Sequence, residues 1–318
     1  MQEATTSTIQ KATIVPLHYC GFDLKRDAEY PIFEGVSIRS LEGILSGDNF
    51  KLWRDYLSDR EREGLANVRM GILNNFQSSG HIGREENDSQ ELLHRIFVCL
   101  RLIKPTRNSY SAIQFKWFEK DKADVFSFTH PKDQLLNLPH AEVLNVVRPE
   151  DLKMLRELAQ PFLRIQEKGP SHLRRAIRFY EEGYSDIQDA VLQIIVWVMG
   201  IRNALSDQNE PVSRNKMLAG IDKYVGFGAN IYQNSWLGDA DYKETPYKLE
   251  RTVGTSIDDL LTLYDRFVGG VWIPSDWENR PTRRESTGEE VSYADSMREV
   301  ASFILRKLIV RLIFEHAA

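Results

Sequence analysis

Two short stretches of the chain contain an arginine that could take part in phosphodiester cleavage, a reaction for which an arginine and a histidine can act together. "RLIFEH" places Arg311 five positions before His316, whereas "DRFVGG" contains Arg266 with no histidine close after it. A histidine exchanges protons near neutral pH. An arginine can hold a phosphate and meet charge developing on it. Arg311 and His316 are therefore candidate catalytic residues, and the Arg266 stretch lacks its proton-transfer group.

The Arg311–His316 pair also has a purely structural interpretation. The residue after Arg311 is the apolar Leu312, and His316 lies two residues from the last residue of the chain. A histidine near the end of a helix interacts favourably with the negative pole of the helix dipole. A solvated helix end is therefore the alternative to a catalytic pair.

A second set of arginines is a candidate for binding RNA or a partner. Arg174, Arg175 and Arg178 lie on consecutive helical turns and could face phosphates; solvated charge offset by Glu181 and Glu182 is the alternative. Four aromatic residues in a long loop could stack on bases or cover a protein surface, namely Tyr232, Trp236, Tyr242 and Tyr247.

Four further polar residues come from two separate helices. Arg202 and Asn203 lie on one predicted helix, and Asp265 and Arg266 lie on another. If these two helices pack together, the four side chains would meet in one cleft. Such a cleft could bind RNA or a partner, and a buried structural ion pair is the alternative.

Several chemistries have no motif in this chain. There is no Walker pattern, dinucleotide-binding glycine fingerprint, Gly-x-Ser-x-Gly motif or zinc-ligand spacing. The two cysteines, Cys20 and Cys99, lie far apart and are expected to be reduced thiols. We therefore expect no cofactor and no metal site.

Composition places the chain among soluble globular proteins. Of its 318 residues, 42% are hydrophobic and 27% are charged, and the net charge is −5. This acidic balance argues against a protein held on nucleic acid by bulk charge, but it allows a local basic patch. The longest apolar run, residues 191–200, is about half a membrane span, and the polar N-terminus lacks a signal pattern. We expect a cytoplasmic protein without membrane contact.

The first 148 residues predict a mixed α/β domain. Strands are predicted in 11–24 and 31–41, and a β-hairpin is predicted from 111–120 and 124–130. Asp48 to Asn74 has helical spacing, 77–90 is a polar loop, and a helix follows at 90–103 before Pro105.

Residues 149–318 predict a helical bundle of five or six helices without strands, which makes the fold class α+β. The helices begin at Pro149 and Ser171, with Ser171 as the predicted N-cap. The others are predicted over residues 186–206, 212–226, 256–272 and 292–316, and polar residues 275–290 are predicted to form a loop. A β-sheet built from residues 150–318 would overturn the family assignment that follows.

Four segments of this bundle resemble the Apea-like branch of the HEPN superfamily, whose active members are ribonucleases. They are "LRRAIRFYEEGY" (173–184), "DAVLQIIVWVMGIRNAL" (189–205), "EPVSRNKMLAGIDKYVG" (210–226) and "LLTLYDRFVGG" (260–270). "IVPLHYCGFDL" and "LRLIKP" are similar to the mixed domain that often precedes such a bundle. The order of these segments carries the resemblance.

The chain departs from the family at the catalytic motif. Active members carry an arginine, usually followed by a polar residue, and a histidine after four to six residues. The branch commonly reads Arg-x-x-x-Val-His-Gly. Here Val268 and Gly270 match, but Gly269 occupies the histidine position and the stretch is shortened. Glycine cannot transfer a proton, so the resemblance implies a catalytically degenerate member.

The resemblance implies a non-catalytic protein that binds RNA or a protein partner, in a phage-defence or toxin–antitoxin setting. It also implies a homodimer, with the Tyr264 helix and the last helix supplying the interface. The alternatives are a metal-independent endoribonuclease with a relocated site at Arg311 and His316, and a structural dimerisation scaffold.

Overall fold

The structure is a computed structural model. It describes residues 9–17, 21–22, 29–42, 68–78, 84–104, 112–118, 122–129, 146–184, 187, 189–206, 212–229, 252–271, 281–283 and 290–317. The chain divides into two compact units, Met1–Leu135 with Ala141–Ala159, and Leu136–His140 with Gln160–Ala318. The fold class is α+β. The division falls inside the helix that begins at Pro149, whereas the sequence places the domain boundary at the start of that helix.

The first unit contains a six-stranded antiparallel sheet. Its strands are β1 (Ile9–Pro16), β3 (Glu29–Phe33), β4 (Val36–Ser40), β5 (Met70–Ser78), β6 (Ala112–Phe118) and β7 (Lys122–Thr129), in the order β3-β4-β5-β1-β6-β7. The short strands β2 (Gly21–Phe22) and β8 (Val146–Val147) pair in parallel. The predicted strands in 11–24 and 31–41 and the predicted β6–β7 hairpin are confirmed.

Helix α1 (Arg84–Ile103) packs on β1 and β5. Three buried polar side chains join the helix to the sheet, because Asn74 donates to Ser89 over 2.8 Å and Ser89 donates to Thr13 over 2.9 Å. A buried polar group costs free energy unless it is hydrogen-bonded, so this chain of bonds fixes the helix in one register on the sheet.

Two predictions for this unit are wrong in part. The helix predicted over Asp48–Asn74 is contradicted at its end, where β5 begins at Met70; residues 48–67 lie outside the described part of the chain. The sequence predicts a helix there because successive residues at the start of β5 are all buried, so the alternation of apolar and polar residues that indicates a strand is absent. The polar loop predicted at 77–90 is also wrong at both ends, since β5 extends to Ser78 and α1 begins at Arg84.

Six helices follow residue 148 among the described residues. They are α2 (Pro149–Lys168), α3 (Ser171–Glu182), α4 (Ala190–Ala204), α5 (Arg214–Tyr224), α6 (Val253–Val268) and α7 (Tyr293–Ala317). The N-cap of α3 is Pro170 rather than the predicted Ser171, and no side chain caps it. Asp189 and Ser213 cap α4 and α5, and Thr252 caps α6 in a capping box.

The prediction that no sheet follows residue 148 is wrong. Pro281–Arg283 (β9) and Glu290–Ser292 (β10) form a two-stranded antiparallel hairpin between α6 and α7. Part of the predicted polar loop at 275–290 is therefore strand. Three-residue strands leave too few positions for an alternating pattern to be visible in the sequence. By that criterion the all-helical character of the bundle no longer supports the family assignment, which is left to rest on the four segments outside the hairpin.

The apolar helix α4 packs against α3, α6 and α7. A Cβ at Gly200 would lie 2.6 Å from Leu305 of α7 and 3.1 Å from Phe179 of α3, so this glycine permits the close approach of three helices. Trp197 is fully buried beside them. The core of the second unit therefore forms around the segment with the highest apolar content, as the sequence predicts.

Candidate functional site

Helix α6 ends in the "DRFVGG" stretch, and its two glycines have different roles. The amide of Gly270 donates to the carbonyl of Phe267 over 3.1 Å, and the amide of Val271 donates to that of Arg266 over 2.9 Å. Gly270 has φ +67°, whereas Gly269 has an ordinary helical φ of −73°. This bond pattern is a Schellman motif, in which the left-handed position favours glycine. Gly270 therefore ends the helix, and Gly269 is not required by its backbone conformation.

Three apolar side chains are exposed at this helix end. Phe267 is 40% exposed, Val268 is 63% exposed and Val271 is 56% exposed. The bond from the Val271 amide to the Arg266 carbonyl brings the backbone of Val271 back to the last turn of α6. We call these three exposed residues the α6-end patch. Arg266, also exposed, lies within this stretch. Neighbouring exposed apolar side chains of this kind are characteristic of interaction sites.

The predicted cleft of four residues is only partly formed. Arg202 lies at the end of α4, with its guanidinium 5.1 Å from the centre of the Tyr264 ring and 3.4 Å from the carbonyl oxygen of Val212. It therefore joins α4 to α6 and to the residues before α5. Asn203 instead donates to the carbonyl of Met199 in its own helix, over 2.9 Å. A cation over an aromatic ring contributes roughly 0.5–2 kcal/mol.

Asp265 has a partner that the sequence interpretation missed. Arg214, the first residue of α5, contacts Asp265 and Asp258 of α6, each over 3.1 Å. Its guanidinium also reaches the Thr262 hydroxyl. All three charged side chains are at least 40% exposed, so the predicted buried ion pair is instead an exposed bridge between α5 and α6. The side chain of Arg266 has no ion pair with another described residue.

The three arginines of α3 lie on its exposed face. Leu173, Ala176, Ile177 and Tyr180 bury the other face, while Arg174, Arg175 and Arg178 are exposed. Arg178 pairs with Glu182 over 3.5 Å, which agrees with the solvated-charge alternative for that residue. Within the described part of the chain, Arg174 and Arg175 form no ion pair.

The two candidate catalytic residues near the C-terminus are both exposed, Arg311 on the last turns of α7 and His316 at its end. The ring of His316 lies near that of His172 at the start of α3, with 6.3 Å between ring centres. The sequence interpretation missed His172 because it considered only histidines that follow an arginine closely along the chain.

Lys307 is an unusual titratable group on the same helix. Burial, together with the nearby positive charges of Arg306 and Arg311, lowers the pKa of Lys307 from 10.5 to about 7. The side chain lies 5.7 Å from the centre of the Phe303 ring. No sequence pattern indicates this shift, because it depends on which side of α7 is covered.

Among the described residues, no group of three or more His, Cys, Asp or Glu side chains could hold a metal ion. Cys99 is a free, fully buried thiol, and burial raises its pKa. Cys20 lies outside the described residues.

Comparison of the chain with protein-family models, with curated proteins and with solved structures finds no match. Of the helices in the described residues, none is long and apolar enough to span a bilayer. Function has to be inferred from the surfaces described above.

Proposed function

We propose that this chain is a catalytically inactive binding protein, related to HEPN domains, whose second unit associates with a protein through the α6-end patch. Its main support is the exposure of Phe267, Val268 and Val271 on one helix end. Burying such side chains yields about 25 cal/mol per Å² of apolar surface, so the patch favours association. A second copy of the chain is the first partner to test, because the resemblance implies a homodimer built on this helix.

Inactivity is supported at two of the three positions where an arginine could begin the family motif; Arg311, which His316 follows, is the third. After Arg266, Gly269 stands in the histidine position. The pattern of an arginine followed by a polar residue also fits Arg202 and Asn203 at the end of α4. The residues that follow Arg202 with four to six residues between are Asp207, Gln208 and Asn209, so none of them is a histidine. A positioned general acid or base is worth about 10²–10⁴ in rate, and neither stretch provides the family's histidine.

Self-association is tested by light scattering at tens of micromolar. Wild type is expected to give the dimer mass and Val268→Asp the monomer mass, because an aspartate would have to be desolvated in the interface. Leu192→Asp is the matched control, because Leu192 is also an exposed apolar residue (42% exposed) but lies in the first turn of α4 rather than at the end of α6. It should remain dimeric. A monomeric wild type, or a dimer unaffected by Val268→Asp, would rule out self-association through this patch.

RNA binding is the second candidate function, favoured by the exposed arginines of α3. Fluorescence anisotropy with a single-stranded RNA probe should show salt-dependent binding that weakens on changing Arg174, Arg175 and Arg178 together to alanine. Lys153, Arg156 and Arg164, which are exposed on α2, provide a control triple variant with the same change in net charge. Equal weakening by both triple variants would show that only bulk charge is involved.

Loss of catalysis is tested with an RNA cleavage assay. Wild type, Arg266→Ala, Arg311→Ala and His316→Ala are all expected to leave RNA intact. Metal-independent cleavage that disappears in either Arg311→Ala or His316→Ala would instead establish the relocated ribonuclease site. Asp207→His creates an Arg-Asn-x-x-x-His sequence; cleavage gained by this variant and lost again with Arg202→Ala would support the relation to HEPN ribonucleases.

A further inference from the structure

His172 and His316 are 144 positions apart in the sequence but close in space. His172 is the second residue of α3, and His316 is the second-last residue of α7. Their ring centres lie 6.3 Å apart with an angle of 59° between the ring planes. His316 is exposed, while His172 is half-buried. Since the two rings are tilted rather than stacked, a nitrogen of each could be directed towards a shared point.

The separation between the rings is close to the span of two imidazoles that share one metal ion. A zinc–nitrogen bond is about 2.1 Å long, which places the metal about 3.2 Å from the centre of each ring. The centres of two rings bound to one metal are therefore about 6.4 Å apart when the metal lies on the line between them, and about 5.2 Å apart at a tetrahedral angle. The observed 6.3 Å is within the collinear limit. A movement of about 1 Å by the exposed His316 side chain would reach the tetrahedral arrangement.

We propose that His172 and His316 form a two-imidazole site for a divalent transition-metal ion, with water completing the coordination. Imidazole nitrogen favours Cu²⁺, Ni²⁺ and Zn²⁺ over Mg²⁺ and Ca²⁺, which require oxygen ligands. A ligating histidine uses one ring nitrogen, and a hydrogen bond at the other commonly orients the ring. The site therefore needs only one nitrogen from each side chain.

The carboxylate next to His316 in the sequence is engaged in an ion pair. The carboxylate of the neighbouring Glu315 lies 3.6 Å from the ammonium group of Lys223 on α5. One oxygen of the Glu315 carboxylate therefore already has a cationic partner. We assign the ligands to the two imidazoles alone.

Metal binding at this site would connect the start of α3 to the end of α7. Helix ends open more readily than helix centres, and both residues lie at helix ends. A metal that binds the folded chain stabilises it by mass action. The expected consequence is a folded second unit whose thermal stability rises with the concentration of a transition metal.

The test uses the full chain without a polyhistidine tag and Ni²⁺ as the probe. Isothermal titration calorimetry should detect a site in wild type that is weakened by at least about tenfold in His316→Ala, which leaves a single imidazole. Nickel should also raise the melting temperature of wild type, and this increase should be lost in His316→Ala. Glu315→Gln is the matched control and should keep both effects, because it retains the two imidazoles.

His172→Ala is the second variant, with circular dichroism to confirm that it folds. It should lose the same site as His316→Ala, and the double variant should lose no more than either single one. A nickel-dependent increase in melting temperature that persists in His316→Ala would overturn the proposal. So would loss of the site in Glu315→Gln.

Discussion

Gly183 and Trp197 are in contact so close that no side chain fits between them. Gly183 follows the end of α3, and a Cβ there would lie 2.1 Å from Nε1 of Trp197. The same indole nitrogen donates to the carbonyl of Tyr180 over 3.2 Å, and Gln193 donates to the carbonyl of Gly183 over 3.1 Å. These bonds hold the end of α3 against the buried ring of Trp197.

Gly183→Ala is therefore expected to destabilise the second unit. Overpacking of a dense core costs typically about 1–3 kcal/mol, and here the nearest atoms belong to a large, fully buried ring. Urea unfolding measures the change. Gly228→Ala is the control, because a Cβ there has no atom within 4 Å. Equal stability of the two variants would mean that Trp197 can move aside.

The two glycines that end α6 should respond differently to alanine. Gly270→Ala places a Cβ at φ +67° and is expected to cost about 1 kcal/mol. Gly269→Ala should cost less, because its φ is helical and the nearest atom to its Cβ would be the Asp265 carbonyl oxygen, at 3.1 Å. Denaturant unfolding of both variants provides the comparison. A larger cost for Gly269→Ala would contradict the Schellman assignment.

Substitutions of Lys104 and Asp151, which pair in the first unit, are expected to have strongly coupled effects on the free energy of unfolding. The two side chains are each 1% exposed and 3.5 Å apart, and the amide of Arg148 donates to the same carboxylate over 3.0 Å. Burial raises the pKa of Asp151, and the charge of Lys104 opposes that effect.

Removing one partner of a buried pair costs about 3–5 kcal/mol, because the other charge is left buried. Lys104→Met and Asp151→Leu should each destabilise strongly, and the double variant should recover most of the loss. A double-mutant cycle from urea unfolding measures this coupling. Additive effects would show that the two groups act independently.

Lys307 should make the stability of the folded chain depend on pH. Its folded pKa of about 7 lies below the ordinary 10.5, so between these values the unfolded chain binds a proton that the folded chain does not. Stability should therefore rise between pH 7 and about 10, by up to about 1 kcal/mol per pH unit. Below pH 7 both states are protonated, and this contribution to the slope disappears.

Lys307→Met should remove that slope and stabilise the chain at pH 7, because no charge then has to be buried. Urea unfolding at pH 7, 8 and 9 measures both effects. Lys168→Met, at an exposed position of α2, should keep the wild-type slope. An unchanged slope in Lys307→Met would show that another group is responsible.

The helices of the second unit could be predicted from the sequence because their signals are local. Asp189, Ser213 and Thr252 cap helices with their own side chains, and apolar residues recur at helical spacing after each of them. The sequence does not predict the hairpin β9–β10, because three-residue strands carry little periodicity. It predicts a helix over the start of β5, because burial of successive residues there removes the alternation of apolar and polar side chains.

The sequence by itself determined which segments of the second unit are helical, which of them is central, and that no histidine closely follows Arg266. Only the tertiary structure decided which distant side chains meet. Asp265 pairs with Arg214 rather than with Arg202, and His316 lies beside His172. The physical reason is that capping and amphipathic spacing act over a few residues, whereas these contacts depend on how separate helices pack around Gly200 and Trp197.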